Sequence, residues 1–237
     1  MTTLDAPVAM LGGTFDPVHY GHLRLASEVR AALALPEVRL VPAGDPPHRG
    51  APEASAADRI AMLELAIRDF PGLRVDTREI RRAGKSYTVL TLEELRSERP
   101  GSPLLLLLGA DAFRGLTTWH EWQRLFELAH LVVVPRPGAD LETELPQALE
   151  REWRMRHARD PSPLRSRLAG SIYVQAISAQ PISSTAIRSG LMREPEEDPS
   201  VAGLLPAAVL AYIRSRQLYR HPANAPFEAA ENRRQRT

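Results

Sequence analysis

The stretch from Val8 to Leu33 constrains this chain more than any other. Apolar Val8, Met10 and Leu11 read as the end of a buried strand, Gly12 and Gly13 follow, and a polar turn leads to His19 and His22 in the spacing H-x-G-H. From Gly21 onward the apolar residues Leu23, Leu25, Ala26, Val29 and Leu33 mark an amphipathic helix. A strand, a tight glycine turn and a helix start direct backbone N–H groups at an anion, above all at phosphate. Two imidazoles beside that turn add donors for the same anion. Either histidine alone would read as an ordinary surface residue.

The alternation continues along the chain. Strands are expected at Val8–Leu11, Val38–Pro42, Leu73–Thr77, Leu104–Leu108, Leu131–Val134 and Ile172–Gln175. Helices are expected at Gly21–Leu35, Ala56–Phe70, Thr88–Ser97, Glu121–Leu128, Pro146–His157, Thr185–Met192 and Pro206–Gln217. The five leucines Leu104–Leu108 suit a parallel strand buried on both faces. Ser55-x-x-Asp58 has capping-box spacing, Phe70-Pro71-Gly72 ends that helix, and Pro206 suits a first helical turn. The pattern predicts an α/β fold, a doubly wound parallel sheet with a C-terminal helical element, binding ligands at the carboxyl ends of its strands. One domain is expected over residues 1–220, with loops at 135–140, 160–163 and 194–199 and a mobile tail at 221–237.

Composition removes several functional classes. There is no cysteine among the 237 residues, which excludes disulfides, thiolate metal sites and a cysteine nucleophile. No apolar run approaches the ~18–20 residues of a membrane span, and no secretory signal is evident at the N-terminus. The net charge of +1 gives no general reason to expect nucleic-acid binding. Arginines cluster at 151–167 and 214–236, with Trp153 the only aromatic residue of the first cluster, so these read as a solvated helix face and a tail. Gly84-Lys85-Ser86 mimics the end of a phosphate-binding P-loop, but the required earlier glycine is Glu79.

Two further segments fit the first. In Ile182-Ser183-Ser184-Thr185-Ala186-Ile187-Arg188, hydroxyls at a helix start cap it and face an anion, and Arg188 lies one turn inside. An ordinary N-cap with a surface arginine would look the same in isolation. In Leu108-Gly109-Ala110-Asp111, glycine after a buried strand admits a ligand, and the aspartate suits vicinal ribose hydroxyls or a helix N-cap.

The run Gly12–His22, GGTFDPxHxGH, resembles the nucleotidyltransferase superfamily and is most similar to bacterial nicotinate-nucleotide adenylyltransferases, with nine of its eleven positions fixed. The resemblance extends to the Leu-Pro-x-x-Val-x-x-Tyr-Ile element ending at Ile213. It implies a Rossmann-like nucleotidyltransferase fold and transfer of an adenylyl group from ATP to nicotinate mononucleotide. Its implied catalytic residues are His19 and His22. The implied ATP site comprises Gly12, Gly13, Thr14, Phe15, Gly109, Asp111, Ser183, Ser184, Thr185 and Arg188. The implied mononucleotide site comprises His48 in a PPHR segment (lysine is usual where Arg49 stands), Tyr87 and Thr88 in an SYTxxT element, Trp119 beside His120, and Arg136. A flat aromatic surface beside donors suits a planar anionic ring.

Phosphate is ionised near neutral pH, so this reaction needs neither a protein nucleophile nor a strong base and rests on positioning and charge stabilisation. Mg²⁺ is the expected cofactor, bound mainly through ATP phosphates and water, with no protein metal cage and Asp16 as an outer contact at most. The expected partners are ATP and nicotinate mononucleotide, without nucleic acid or membrane; a homo-oligomer is compatible with the sequence. A cytoplasmic location follows from the need for ATP. Two alternatives stay open: a sister enzyme using nicotinamide mononucleotide or phosphopantetheine, and a non-catalytic nucleotide sensor.

Overall fold

Both faces of the central strands are apolar, and each finds its own set of helices. The computed structural model describes residues 4–46, 51–135, 141, 145–178, 182–193 and 199–220. In chain order the elements are β1 (Val8–Gly13), α1 (Tyr20–Ala32), β2 (Val38–Pro42), α2 (Ala56–Ala66), β3 (Leu73–Val75), α3 (Arg78–Arg81), α4 (Thr88–Glu98), β4 (Leu104–Gly109) and α5 (Ala110–Arg114). They continue with α6 (Leu125–Leu128), β5 (His130–Val134), α7 (Gln147–Arg156), β6 (His157–Ala158), α8 (Pro163–Ser166), β7 (Ile172–Val174), α9 (Ser184–Arg193), α10 (Pro199–Ala202) and α11 (Ala207–Ser215). The seven strands form one sheet in the order β3-β2-β1-β4-β5-β7-β6, every pair parallel. Strand order reverses between β1 and β4, where Met10 lies opposite Leu106; in open parallel sheets this switch point is where ligands bind, beyond the carboxyl ends of the strands.

Period-two alternation sorts the core. Ala9, Leu11, Leu105, Leu107, Val132 and Val134 pack against α1, α2, α9 and α11 through Leu23, Val29, Met62, Leu63, Ile187, Val209 and Ile213. Met10, Leu104, Leu106, Leu108, Leu131 and Val133 face α4 to α7 through Val89, Leu92, Phe113, Phe126 and Trp153. The doubly wound parallel sheet and the C-terminal helix are thus as the sequence pattern predicts.

Several boundaries differ, each for a local reason. Helix α1 stops at Ala32, not Leu35, because Ala34 takes φ 45° and Leu35 N–H returns to the Arg30 carbonyl at 2.9 Å, a Schellman-type close. Arg165 secures that end by donating to the Leu33 and Ala34 carbonyls at 2.7 and 3.0 Å. Strand β3 ends at Val75, since the Asp76 carboxylate captures the Arg78 N–H at 3.1 Å and turns the chain into α3. The segment expected as helix 121–128 divides into a 3₁₀ turn, Trp122–Arg124, and α6, because Glu121 precedes it at φ 49°. Helix α2 yields to a 3₁₀ turn at Ile67–Asp69, and His157, expected to end a helix, joins the edge strand β6. The segment 160–163 ends in the first turn of α8 rather than as loop alone. Ser55 caps α2 as its spacing predicts, accepting from Asp58 N–H at 3.1 Å. Two arginines of the arginine-rich segment have local acidic partners: Arg154 pairs with Glu150, and Arg156 with Glu152 and the Phe126 ring face. The expected tail 221–237 lies outside the described residues.

Candidate nucleotide site at the carboxyl ends of the strands

The turn after β1 is suspended from outside by residues far away in sequence. The Gly13 carbonyl accepts from Ala43 N–H at 2.9 Å, and the Thr14 carbonyl accepts from buried Arg59 Nη1 at 2.8 Å. The Asp16 carbonyl accepts from Arg188 Nη1 at 2.8 Å, and the Pro17 carbonyl from Ser184 Oγ at 3.0 Å. In a trans peptide the N–H opposes the preceding carbonyl. Anchoring the Gly13 and Thr14 carbonyls therefore aims the Thr14 and Phe15 N–H groups the other way, and neither is bonded to another described residue. Phe15 sits at φ 51°, a left-handed conformation costing a non-glycine residue about 1–2 kcal/mol. The surrounding bonds hold it there. The Asp16–Pro17 peptide is cis.

The two imidazoles stand behind this turn. His19 is buried and its ring stacks on His22 with centroids 3.7 Å apart, while Phe15 meets the His22 ring edge-on at 5.0 Å. Burial lowers the His19 pKa to about 4, so the ring is neutral at pH 7 and donates through one N–H rather than acting as a cation. Its Nδ1 has no hydrogen-bond partner among the described residues. Gly21 explains the spacing H-x-G-H: a Cβ there would lie 2.9 Å from His19 Nδ1 and 3.5 Å from Ile182 Cβ. The same contact shows that the start of α9 lies against the first turn of α1.

Sequence-distant residues 12–22 and 182–188 therefore meet. Ser183 caps α9 by accepting from Ala186 N–H at 3.1 Å, Ser184 ties it to Pro17, and Thr185 is exposed. Arg188 pairs with Glu53 at 2.6 Å as well as with the Asp16 carbonyl, so it clamps the turn as well as lying beside it. The Asp16 carboxylate accepts from Glu53 N–H, Ala54 N–H and Tyr219 Oη at 2.8, 3.1 and 2.6 Å, which commits most of its accepting capacity to the fold. Among the described residues no group of three or more His, Asp or Glu side chains is placed to hold a metal ion.

The second set of expected residues lies after β4 and around the start of α4. Gly109 ends β4 with open space where a Cβ would stand, and exposed Asp111 lies in the first turn of α5 with Arg114 3.8 Å away. Tyr87 and His120 pack ring against ring at 4.2 Å, with Trp119 half-buried next to His120. Thr88 starts α4. The Gly84–Ser86 segment is a strut and no phosphate loop: Ser86 Oγ accepts from Gly44 N–H at 2.8 Å and Lys85 pairs with Asp45 at 2.7 Å. The last residue of SYTxxT, Thr91, is fully buried and donates to buried Glu79 at 2.6 Å, so it ties α4 to α3. His48 and Arg136 lie outside the described residues.

Sequence reasoning missed Arg59, Glu53 and Tyr219. None carries a local signal: an arginine in the helix α2 and a tyrosine beyond α11 acquire their roles only through tertiary contacts.

The family described as cytidylyltransferase-like matches residues 10–190. A protein of Halorhodospira halophila named "Probable nicotinate-nucleotide adenylyltransferase" is 47% identical over 215 residues, covering 91% of this chain and 96% of its own. One of the same name from Pseudomonas syringae is 47% identical over 223 residues, covering 94% and 97%. The structure of a Plasmodium falciparum nicotinic acid mononucleotide adenylyltransferase complexed with NaAD superposes with a TM-score of 0.69 over 91% of this chain and 98% of that one, at 16% identity. That likeness concerns the fold.

Proposed function

This chain belongs to the cytidylyltransferase-like family, among its nicotinate-nucleotide adenylyltransferases, and from that premise we propose that it joins ATP and nicotinate mononucleotide into nicotinate adenine dinucleotide with release of pyrophosphate. The observation that carries this reading is the meeting of the glycine turn, the stacked imidazoles and the α9 start.

A phosphate oxygen of the mononucleotide attacks the α-phosphorus of ATP in line. The new P–O bond forms as the bond to the β-phosphate oxygen breaks, and pyrophosphate carries away the electron pair. The Thr14 and Phe15 N–H groups, His22 and the α9 cap surround the triphosphate, and His19 supports them as a neutral donor. Because these donors are held before substrate arrives, they stabilise shifting charge without reorganising. Gly109 and Asp111 receive the adenosine part, and Tyr87, Trp119, Thr88, His48 and Arg136 receive the mononucleotide. Mg²⁺ would enter as part of the substrate MgATP, held mainly by phosphate oxygens and water. A cytoplasmic site of action accords with the use of ATP.

The test is pyrophosphate release from ATP with nicotinate mononucleotide, nicotinamide mononucleotide and phosphopantetheine side by side. The reading expects the nicotinate substrate to turn over fastest. Preference for another acceptor transfers the assignment to a sister enzyme, and ATP binding without turnover points to a sensor.

A further inference from the structure

The Asp16 carboxylate is a joint between three parts of the chain. Its own turn follows β1, Glu53 and Ala54 lead into α2, and Tyr219 follows α11, with the tyrosine hydroxyl donating to Oδ1 at 2.6 Å across 203 residues. Tyr219 is buried, and both burial and the neighbouring carboxylate push its pKa upward, so the hydroxyl remains a donor. Glu53 in turn pairs with Arg188, which reaches the Asp16 carbonyl. Nothing in this arrangement lets Tyr219 touch a nucleotide. What it touches is the residue between left-handed Phe15 and Pro17, at the base of the turn that precedes His19.

We propose that Tyr219 is a positioning residue for adenylyl transfer: through Asp16 it fixes the phosphate turn and the imidazole pair behind it. The inference rests on the functional reading above. It assigns a kinetic role to the segment after α11.

The experiment compares Tyr219→Phe, Asp16→Asn, the double variant and Tyr212→Phe. Phenylalanine keeps the buried ring, so Tyr219→Phe retains its packing. Tyr212→Phe removes a similar tyrosine–carboxylate bond, to Asp58 at 2.9 Å, that joins α11 to α2 without touching the turn. Tyr219→Phe is expected to lower kcat ~10-fold, equivalent to about 1.4 kcal/mol of transition-state stabilisation, with the mononucleotide KM unchanged. The double variant is expected to be no slower than Asp16→Asn alone, because both act through one joint. Tyr212→Phe is expected to lower the melting temperature while leaving kcat at the wild-type value. Wild-type turnover is the reference, so a Tyr219→Phe enzyme that matches it, or a double variant whose losses multiply, overturns the inference and leaves the functional reading intact.

Discussion

Replacing Gly21 with alanine adds one methyl group directly against the buried His19 ring. The new Cβ would stand 2.9 Å from His19 Nδ1, 3.0 Å from His19 Cε1 and 3.5 Å from Ile182 Cβ. Ordinary van der Waals separation is about 3.5 Å or more, so the ring must retreat by roughly 0.5 Å. It has nowhere neutral to go: His19 is buried and stacked on His22 at 3.7 Å, so the displacement passes to the second imidazole. A misplacement of 1 Å costs about 10²-fold in rate, which puts this one at roughly 10-fold. Stability is moved by two opposed effects. Alanine gains up to about 1 kcal/mol of helix propensity over glycine, and overpacking loses about 1–3 kcal/mol. The expected signature is turnover reduced ~10-fold in a protein that stays folded at the assay temperature. Pyrophosphate release and thermal denaturation on the same preparation read both quantities. Wild-type turnover in Gly21→Ala would refute the argument that the imidazole pair is positioned against the helix backbone.

Other consequences are equally direct. His22→Ala should lower turnover by ~10²–10³, the scale for losing a preorganised charge-stabilising donor, measured under saturating substrates. Burial of His19 depresses its pKa from 6.5 to about 4, so the unfolded state binds more protons between those values and stability must fall as pH drops through that window. The full penalty is on the order of 3 kcal/mol; denaturant titrations from pH 7 to pH 4 should show it, and His19→Gln should flatten that slope. Arg59→Met removes the donor to the Thr14 carbonyl and should lower stability by about 1.5–3 kcal/mol while raising the ATP KM; an unchanged KM would mean that the turn keeps its shape without that bond.

Legibility in the sequence followed how local the cause is. The leucine run of β4 and the Ser55 cap of α2 are written in adjacent residues, and both are found as expected. The convergence of 12–22 with 182–188 was legible only as a resemblance, because no local pattern encodes which helix start meets which turn. The strand order, with β7 inserted between β5 and the two-residue β6, has no sequence signal at all. Ala34 and Glu121 lie outside the usual glycine and asparagine choices for positive φ, which is why two helix boundaries escaped. The Asp16 carboxylate looked available because its three donors, Glu53, Ala54 and Tyr219, arrive from distant segments.

The central claim is that one triphosphate is held jointly by the glycine turn, His22 and the start of α9. A crystal structure with a non-hydrolysable ATP analogue measures this directly. The account predicts phosphate oxygens within hydrogen-bonding distance of Phe15 N–H, the His22 ring and the Ser183–Thr185 cap in the same complex. A triphosphate seated elsewhere, with these three groups facing only solvent, would contradict it.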